Sequence, residues 1–251
     1  MKRILLFTLC LAMLLSVVGC AEPGSSEPTP PATEPDASAA PSTPDETEPE
    51  NPEESPYVED ATFRYLYASE IGTMNYLKTG TTADFKPAAN FVDTLIEYDQ
   101  YGVVKPCLAT EWSVSDDGLV WTLKLREGVK WYTYELEEYA ETTADDFVFG
   151  LEWILNPANE SSNVDTVCSV IKNAREYFDG TITDFSEVGV KAVDPYTLQY
   201  TLKDTCPYFL SMLTYVAFMP ANRAFAEECG EYYGTSNDSI LYNGAYYCTS
   251  W

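Results

Sequence analysis

The stretch SDDGLVWTLKLREGVKWYT, Ser115–Thr133, sets an alternating run between two turn signals. Leu119, Trp121, Leu123 and Leu125 alternate with Val120, Thr122, Lys124 and Arg126. A period of two sends successive side chains to opposite faces, so the run predicts a strand with one face buried. Asp116-Asp117-Gly118 before it and Glu127-Gly128 after it are turn formers, with Gly supplying a positive φ at little cost. Val129–Tyr132 then resumes an extended pattern, so a hairpin is expected across Trp112–Trp131.

The remaining body reads as a mixture of strands and helices. Ala61–Ser69 alternates and predicts an opening strand. Pro87–Asp99 places Phe91, Leu95 and Tyr98 on one helical face, with Tyr101-Gly102 as its stop. Thr143 with Asp146 three residues on is a helix start, and Phe147, Leu151, Ile154 and Leu155 form the stripe that Asn156-Pro157 ends. A second helix is expected over Asn163–Gly180, with Val164, Val167, Ile171, Ala174 and Phe178 on one side. Val188–Leu202 predicts a hairpin around Asp194-Pro195. Cys206–Pro220 starts as a short helix and ends near a strand, Ala221–Gly230 is a short amphipathic helix, and Asn243–Trp251 turns into a final strand.

Charge and histidine content remove whole classes of function. The 251 residues carry a net charge of -26 and no His. Residues 61–251 alone hold 28 acids and 12 bases, which argues against nucleic acid, whose phosphates need a basic footprint. Without His, neither a Ser-His nor a Cys-His pair can form, and a His-based zinc site is excluded. No metal or other cofactor is expected.

The first sixty residues read as an address and a tether. Met1-Lys2-Arg3 precedes an apolar run, Ile4–Val18, which is short of the ~20 residues that span a bilayer and so predicts a secretory signal over residues 1–19. The run ends in Val17-Val18-Gly19-Cys20, similar to the bacterial lipoprotein box, in which cleavage before the Cys makes it the lipid-carrying first residue. An ordinary signal with an incidental Cys is the alternative. Residues 20–60 are rich in Pro, Ser, Thr and Glu, and Ala21–Asp60 holds 12 acids and no base. Such a segment cannot bury enough apolar surface to offset its ordering entropy, and it predicts a disordered, extended spacer. A lipid on Cys20 would place the protein on the outer face of the cell membrane, with more than one acyl chain for firm attachment.

Five further cysteines, Cys107, Cys168, Cys206, Cys229 and Cys248, have no Cys-x-x-Cys spacing. An extracellular setting permits disulfides, but small buried hydrophobes is the expected role. Trp121, Trp131, Tyr134 and Tyr139 allow a stacking platform, although their strand and turn positions favour packing.

Taken together, EYDQYGVVKPCLATEWSVSDDGLVWTLKLREGVKWYT, TADDFVFGLEW, VGVKAVDPYTLQYTL and NGAY, in that order, resemble the extracytoplasmic solute-binding proteins of family 5, the oligopeptide-binding proteins of ABC importers. NYLKTGTTADFKPAANFVDTLIEYDQYG and KWYTYELEEYAE look most like the Gram-positive, lipid-anchored branch. The resemblance implies an α/β, periplasmic-binding-protein-like (type II) fold of two lobes closing on an extended peptide. It implies an oligopeptide ligand, a permease and ATPase subunits as partners, and no catalysis. Members are roughly twice as long, so residues 61–251 are expected to be the N-terminal part of lobe one with its small subdomain. A genuine short variant is the alternative.

The ligand-binding residues that the resemblance implies are few. The loop Glu70–Thr79 follows the first strand where the family's cleft meets the ligand backbone, which points to Thr73, Met74 and Asn75. Phe149 sits where relatives can carry a cleft-facing Tyr, with core packing as its other role. Rival functions are the same scaffold holding a nickel complex, haem or an oligosaccharide, a surface module without transport, and a surface hydrolase, for which no nucleophile elbow or metal motif is present.

Overall fold

The computed structural model describes residues 62–67 and 69–251; the leader, Cys20 and the tether expected from the sequence lie outside them. Residues 62–67 form no strand, and Phe63 and Leu66 are 86% and 99% exposed. Among the described residues of Ala61–Ser69 the expected opening strand is thus not formed. Its alternation is there, but no neighbouring strand among the described residues takes up its backbone groups.

Helix α1 runs Thr82–Phe91 with Pro87 inside it, and Val92 beyond it is extended. The helix expected over Pro87–Asp99 is therefore shifted toward the N terminus. Its second half becomes strand β1, Ile96–Tyr98, antiparallel to β2, Val104–Pro106. The β-branched run Val92, Thr94, Ile96 favours that outcome. Gly102, at φ 74, closes this hairpin instead of ending a helix, and Asp99 accepts the amides of Tyr101 and Val103 in the turn.

The alternating stretch folds as its pattern demands. Strand β3, Ala109–Val114, and β4, Val120–Leu125, pair antiparallel around a turn in which Gly118 has φ 74. The following run does not extend that hairpin: β5, Lys130–Tyr132, pairs with β6, Glu138–Glu141, as a separate ribbon. Helix α2, Ala144–Leu155, starts where Thr143 and Asp146 place it. The long helix expected over Asn163–Gly180 splits into α3, Val164–Cys168, and α4, Ala174–Phe178. Between them Ile171 bridges to Leu202 and Asn173 takes a left-handed φ of 59; β-branched Val167, Val170 and Ile171 resist a continuous helix there.

Strands β7, Val190–Asp194, and β8, Thr197–Thr201, complete a four-stranded antiparallel sheet of order β3-β4-β8-β7. The segment from Cys206 holds α5, Phe209–Met212, and a 3-10 turn at Val216–Phe218, but not the expected strand. Helix α6, Arg223–Cys229, is capped by Asn222, whose side chain accepts the Phe225 amide. The final strand expected over Asn243–Trp251 is not formed; the last pairing is a single bridge just before it, Tyr242 to Tyr132.

One sheet face carries the core. Trp121, Leu123, Leu198 and Tyr200 point inward, and α2 lies across β7 and β8. Phe209 sits 5.5 Å from both Trp121 and Tyr200, ring centre to ring centre, and 5.8 Å from Phe218. The Tyr200 and Phe218 contacts are edge-on, and each such pair adds ~0.5–1.5 kcal/mol beyond its buried area. Trp131 is fully buried and donates its indole N–H to Asp146. These two tryptophans are packing, whereas Tyr134 is exposed at the ribbon's tip and Tyr139 packs edge-on against Phe225. The five described cysteines are all unpaired.

Candidate ligand-binding groove

The loop from Glu70 to Thr81 is short of regular structure yet densely fixed. Asp84, in the first turn of α1, accepts the Gly72 amide at 2.7 Å and the hydroxyls of Thr79 and Thr81 at 2.5 and 2.6 Å. Burial works against its charge, but these donors, with the Thr73 amide, outweigh it and hold the carboxyl below the ordinary aspartate value. A carboxylate with so many donors is a rigid pin.

Two distant segments clamp the same loop. The buried Asn163 side chain donates to the carbonyls of Tyr76, Leu77 and Thr79 at 3.3, 3.2 and 3.0 Å. From the other side, Gly234 accepts the Met74 amide at 2.9 Å and the Thr73 hydroxyl at 3.0 Å, while Asn75 donates to the Tyr233 carbonyl. Tyr76 donates to the Pro220 carbonyl at 2.6 Å and lies 3.4 Å from the Tyr233 hydroxyl, which joins all three segments. Burial raises both phenols' pKa, so both stay neutral.

These segments border an open groove of about 790 Å³, lined by Gly72, Thr73, Asn75, Lys78, Thr79 and Thr81 on one side. Trp153, Asn159, Glu160 and Ser162 line another wall, and Glu231, Tyr233 and Thr235 a third. A second space of about 370 Å³ shares Trp153, Asn159 and Gly230 with it and extends to Phe149, Glu152, Arg223 and Glu227. The carbonyls of Gly72 and Thr73 accept no hydrogen bond among the described residues. Residues lining the groove therefore carry unengaged backbone acceptors beside polar side chains, charged Lys78, Glu160 and Glu231 among them, a surface compatible with an extended polyamide.

Of the residues singled out by resemblance, Thr73 and Asn75 line the larger space and Phe149 the smaller. Met74 does not: its side chain is 2% exposed and turned into the core. Asp84, Asn163 and Gly234 carry no sequence signal of these roles, because a pin, a clamp and a close approach have no local signature. Among the described residues no cluster of acids and thiols could hold a metal ion, and no helix is long and apolar enough to cross a membrane.

Residues 103–251 match the family model described as bacterial extracellular solute-binding proteins, family 5 Middle. The chain belongs to that family. It is 42% identical over 186 residues to the oligopeptide-binding protein AmiA of Streptococcus pneumoniae, covering 73% of this chain and 28% of that protein. It is 41% identical over 189 residues to the oligopeptide-binding protein SarA of Streptococcus gordonii, covering 74% of this chain and 28% of that one. The chain thus spans little over a quarter of the length of these relatives. Its α/β fold matches the substrate-binding domain of an oligopeptide ABC transporter from Bacillus anthracis, with TM-score 0.67, 33% identity, and coverage of 72% of this chain and 34% of that one. Peptide-bound OppA of Listeria monocytogenes matches with TM-score 0.65 and 27% identity over 73% of this chain and 36% of that one. As a family, these are solute-binding proteins and not enzymes.

Proposed function

We propose that this chain supplies part of the ligand-gripping surface of an extracellular oligopeptide-binding protein that hands peptides to an ABC permease driven by ATPase subunits. The observation that carries this reading is the clamped loop, whose Gly72 and Thr73 line the larger space and have carbonyls unengaged among the described residues. An extended peptide can place its amides there as an added strand, while its side chains enter water-filled space. Family membership and the peptide-binding relatives support the same ligand class. The binding protein performs no chemistry in this scheme. Closure of a second lobe over the peptide would select the loaded state.

Cys20 is the proposed lipid attachment point, with residues 1–19 removed as the leader and residues 20–60 as spacer. Metabolic labelling with a tagged fatty acid would detect it, and Cys20→Ala should abolish the label and release the protein into the medium. For the ligand, the full-length protein purified from its host is examined by native mass spectrometry. Bound masses resolving to short peptides support the reading; a haem, nickel complex or oligosaccharide in their place overturns it.

A further inference from the structure

Arg223 occupies an unusual position. Its guanidinium carbon lies 4.5 Å from the centre of the Phe149 ring, and its nitrogens pair with Glu152 and, at 3.8 Å, with Glu227. An aromatic face flanked by carboxylates is the standard recognition chemistry for an organic cation. Here the chain's own arginine fills it. Phe149 borders the 370 Å³ space, yet it is only 5% exposed beneath that guanidinium.

The plug has somewhere to go. Arg223 and Glu227 also line a neighbouring space of about 380 Å³ that contains Asp145. Arg223 thus borders both spaces, and Asp145 offers the second one a carboxylate. The Arg223 side chain is 48% exposed, and ion pairs at such exposure are individually weak. Together with the ring contact these pairs hold the guanidinium over Phe149, yet each is weak enough for a competing cation to displace.

We propose that Phe149, Glu152 and Glu227 form a cation subsite of the groove, and that Arg223 is its movable plug. The ligand class is a guanidinium or alkylammonium group, such as an arginine or lysine side chain of a peptide. This rests on the groove being the ligand site, but its test does not need a peptide.

The probes are Nα-acetyl-L-argininamide and its uncharged isostere Nα-acetyl-L-citrullinamide (argininamide and citrullinamide hereafter), measured by equilibrium dialysis against the full chain. Arg223→Ala and Arg223→Gln should each bind argininamide about tenfold more tightly than the unaltered protein, since an internal competitor is gone. Citrullinamide should show no gain. Adding Glu152→Gln and Glu227→Gln to Arg223→Gln should remove the gain. Equal affinity with and without Arg223, or equal gains for argininamide and citrullinamide, overturns the subsite. Should oligopeptides fail to bind while the argininamide pattern holds, the peptide reading falls and the cation subsite stands.

Discussion

Gly234 and Asn75 meet backbone to backbone: a Cβ added to Gly234 would lie 2.4 Å from the Asn75 amide nitrogen, and Gly234 already sits at φ 72. Both facts forbid a side chain. Gly234→Ala must strain φ and push the clamped loop away from the Tyr233–Gly234 carbonyls. We expect a loss on the order of 3 kcal/mol, from the left-handed penalty plus a clash with backbone that cannot yield. Gly102→Ala is the control. Gly102 has φ 74 but nothing within 4 Å of its would-be Cβ, so only the φ penalty of about 1 kcal/mol applies. Denaturant melts of the two variants should differ by about 2 kcal/mol, and equal losses would show that the close approach is not real.

Asn163 tests the opposite clamp. Its amide serves three carbonyls from a site 1% exposed. Asn163→Ala leaves buried acceptors short and should cost ~2–3 kcal/mol. Asn163→Asp puts a carboxylate against the same carbonyls and should cost more at neutral pH. Lowering the pH protonates that aspartate, so the gap between the two variants should shrink in acid. A constant gap from pH 7 to about pH 4 would count against the assigned hydrogen bonds.

Local features of the fold were legible, and distributed ones were not. The alternation at Leu119–Leu125, the Thr143–Asp146 start and the Asp194-Pro195 turn each act within a few residues, and each appears where the pattern puts it. The misses lie where tertiary context decides. Leu95 and Ile96 are both fully buried, which is compatible with a helix or a strand, and pairing with Val104–Pro106 made the choice. The second helix kept its apolar side but broke where Ile171 found Leu202. The groove was least legible: Thr73 and Asn75 were reached through resemblance, while their holders lie from 84 to 234 in sequence.

Tyr200 gives a prediction against intuition. It is fully buried, and its hydroxyl has no hydrogen-bond partner among the described residues; the Trp121 indole N–H, on the strand paired with it, has none either. Burial pushes the phenol's pKa up, so it stays neutral. Tyr200→Phe removes an unsatisfied polar atom while keeping the ring against Phe209 and Phe218. Stability should be unchanged or rise by up to ~1 kcal/mol. A loss above about 1 kcal/mol in urea unfolding would mean that a bound water or other partner satisfies the pair.

Asp146 gives the fold a pH dependence of definite sign. Burial raises its pKa from 3.8 to about 6, although the Thr143 amide at 2.8 Å, the Trp131 indole at 3.2 Å and the Asn222 amide at 3.4 Å favour the charged form, and neighbouring Asp145 adds to the rise. Between those two values the native state holds a proton that the unfolded chain has released. Raising the pH through that window therefore favours unfolding. The contribution is complete below about pH 3.8 and lost above about pH 6, a swing on the order of 3 kcal/mol. Asp84 acts in the other direction, since its depressed pKa adds stability that is lost only as the pH falls below 3.8. The decisive comparison is the difference between the unaltered protein and Asp146→Asn. The unaltered protein should lose stability relative to the variant from pH 4 to pH 6, and parallel curves across that interval would refute the assignment.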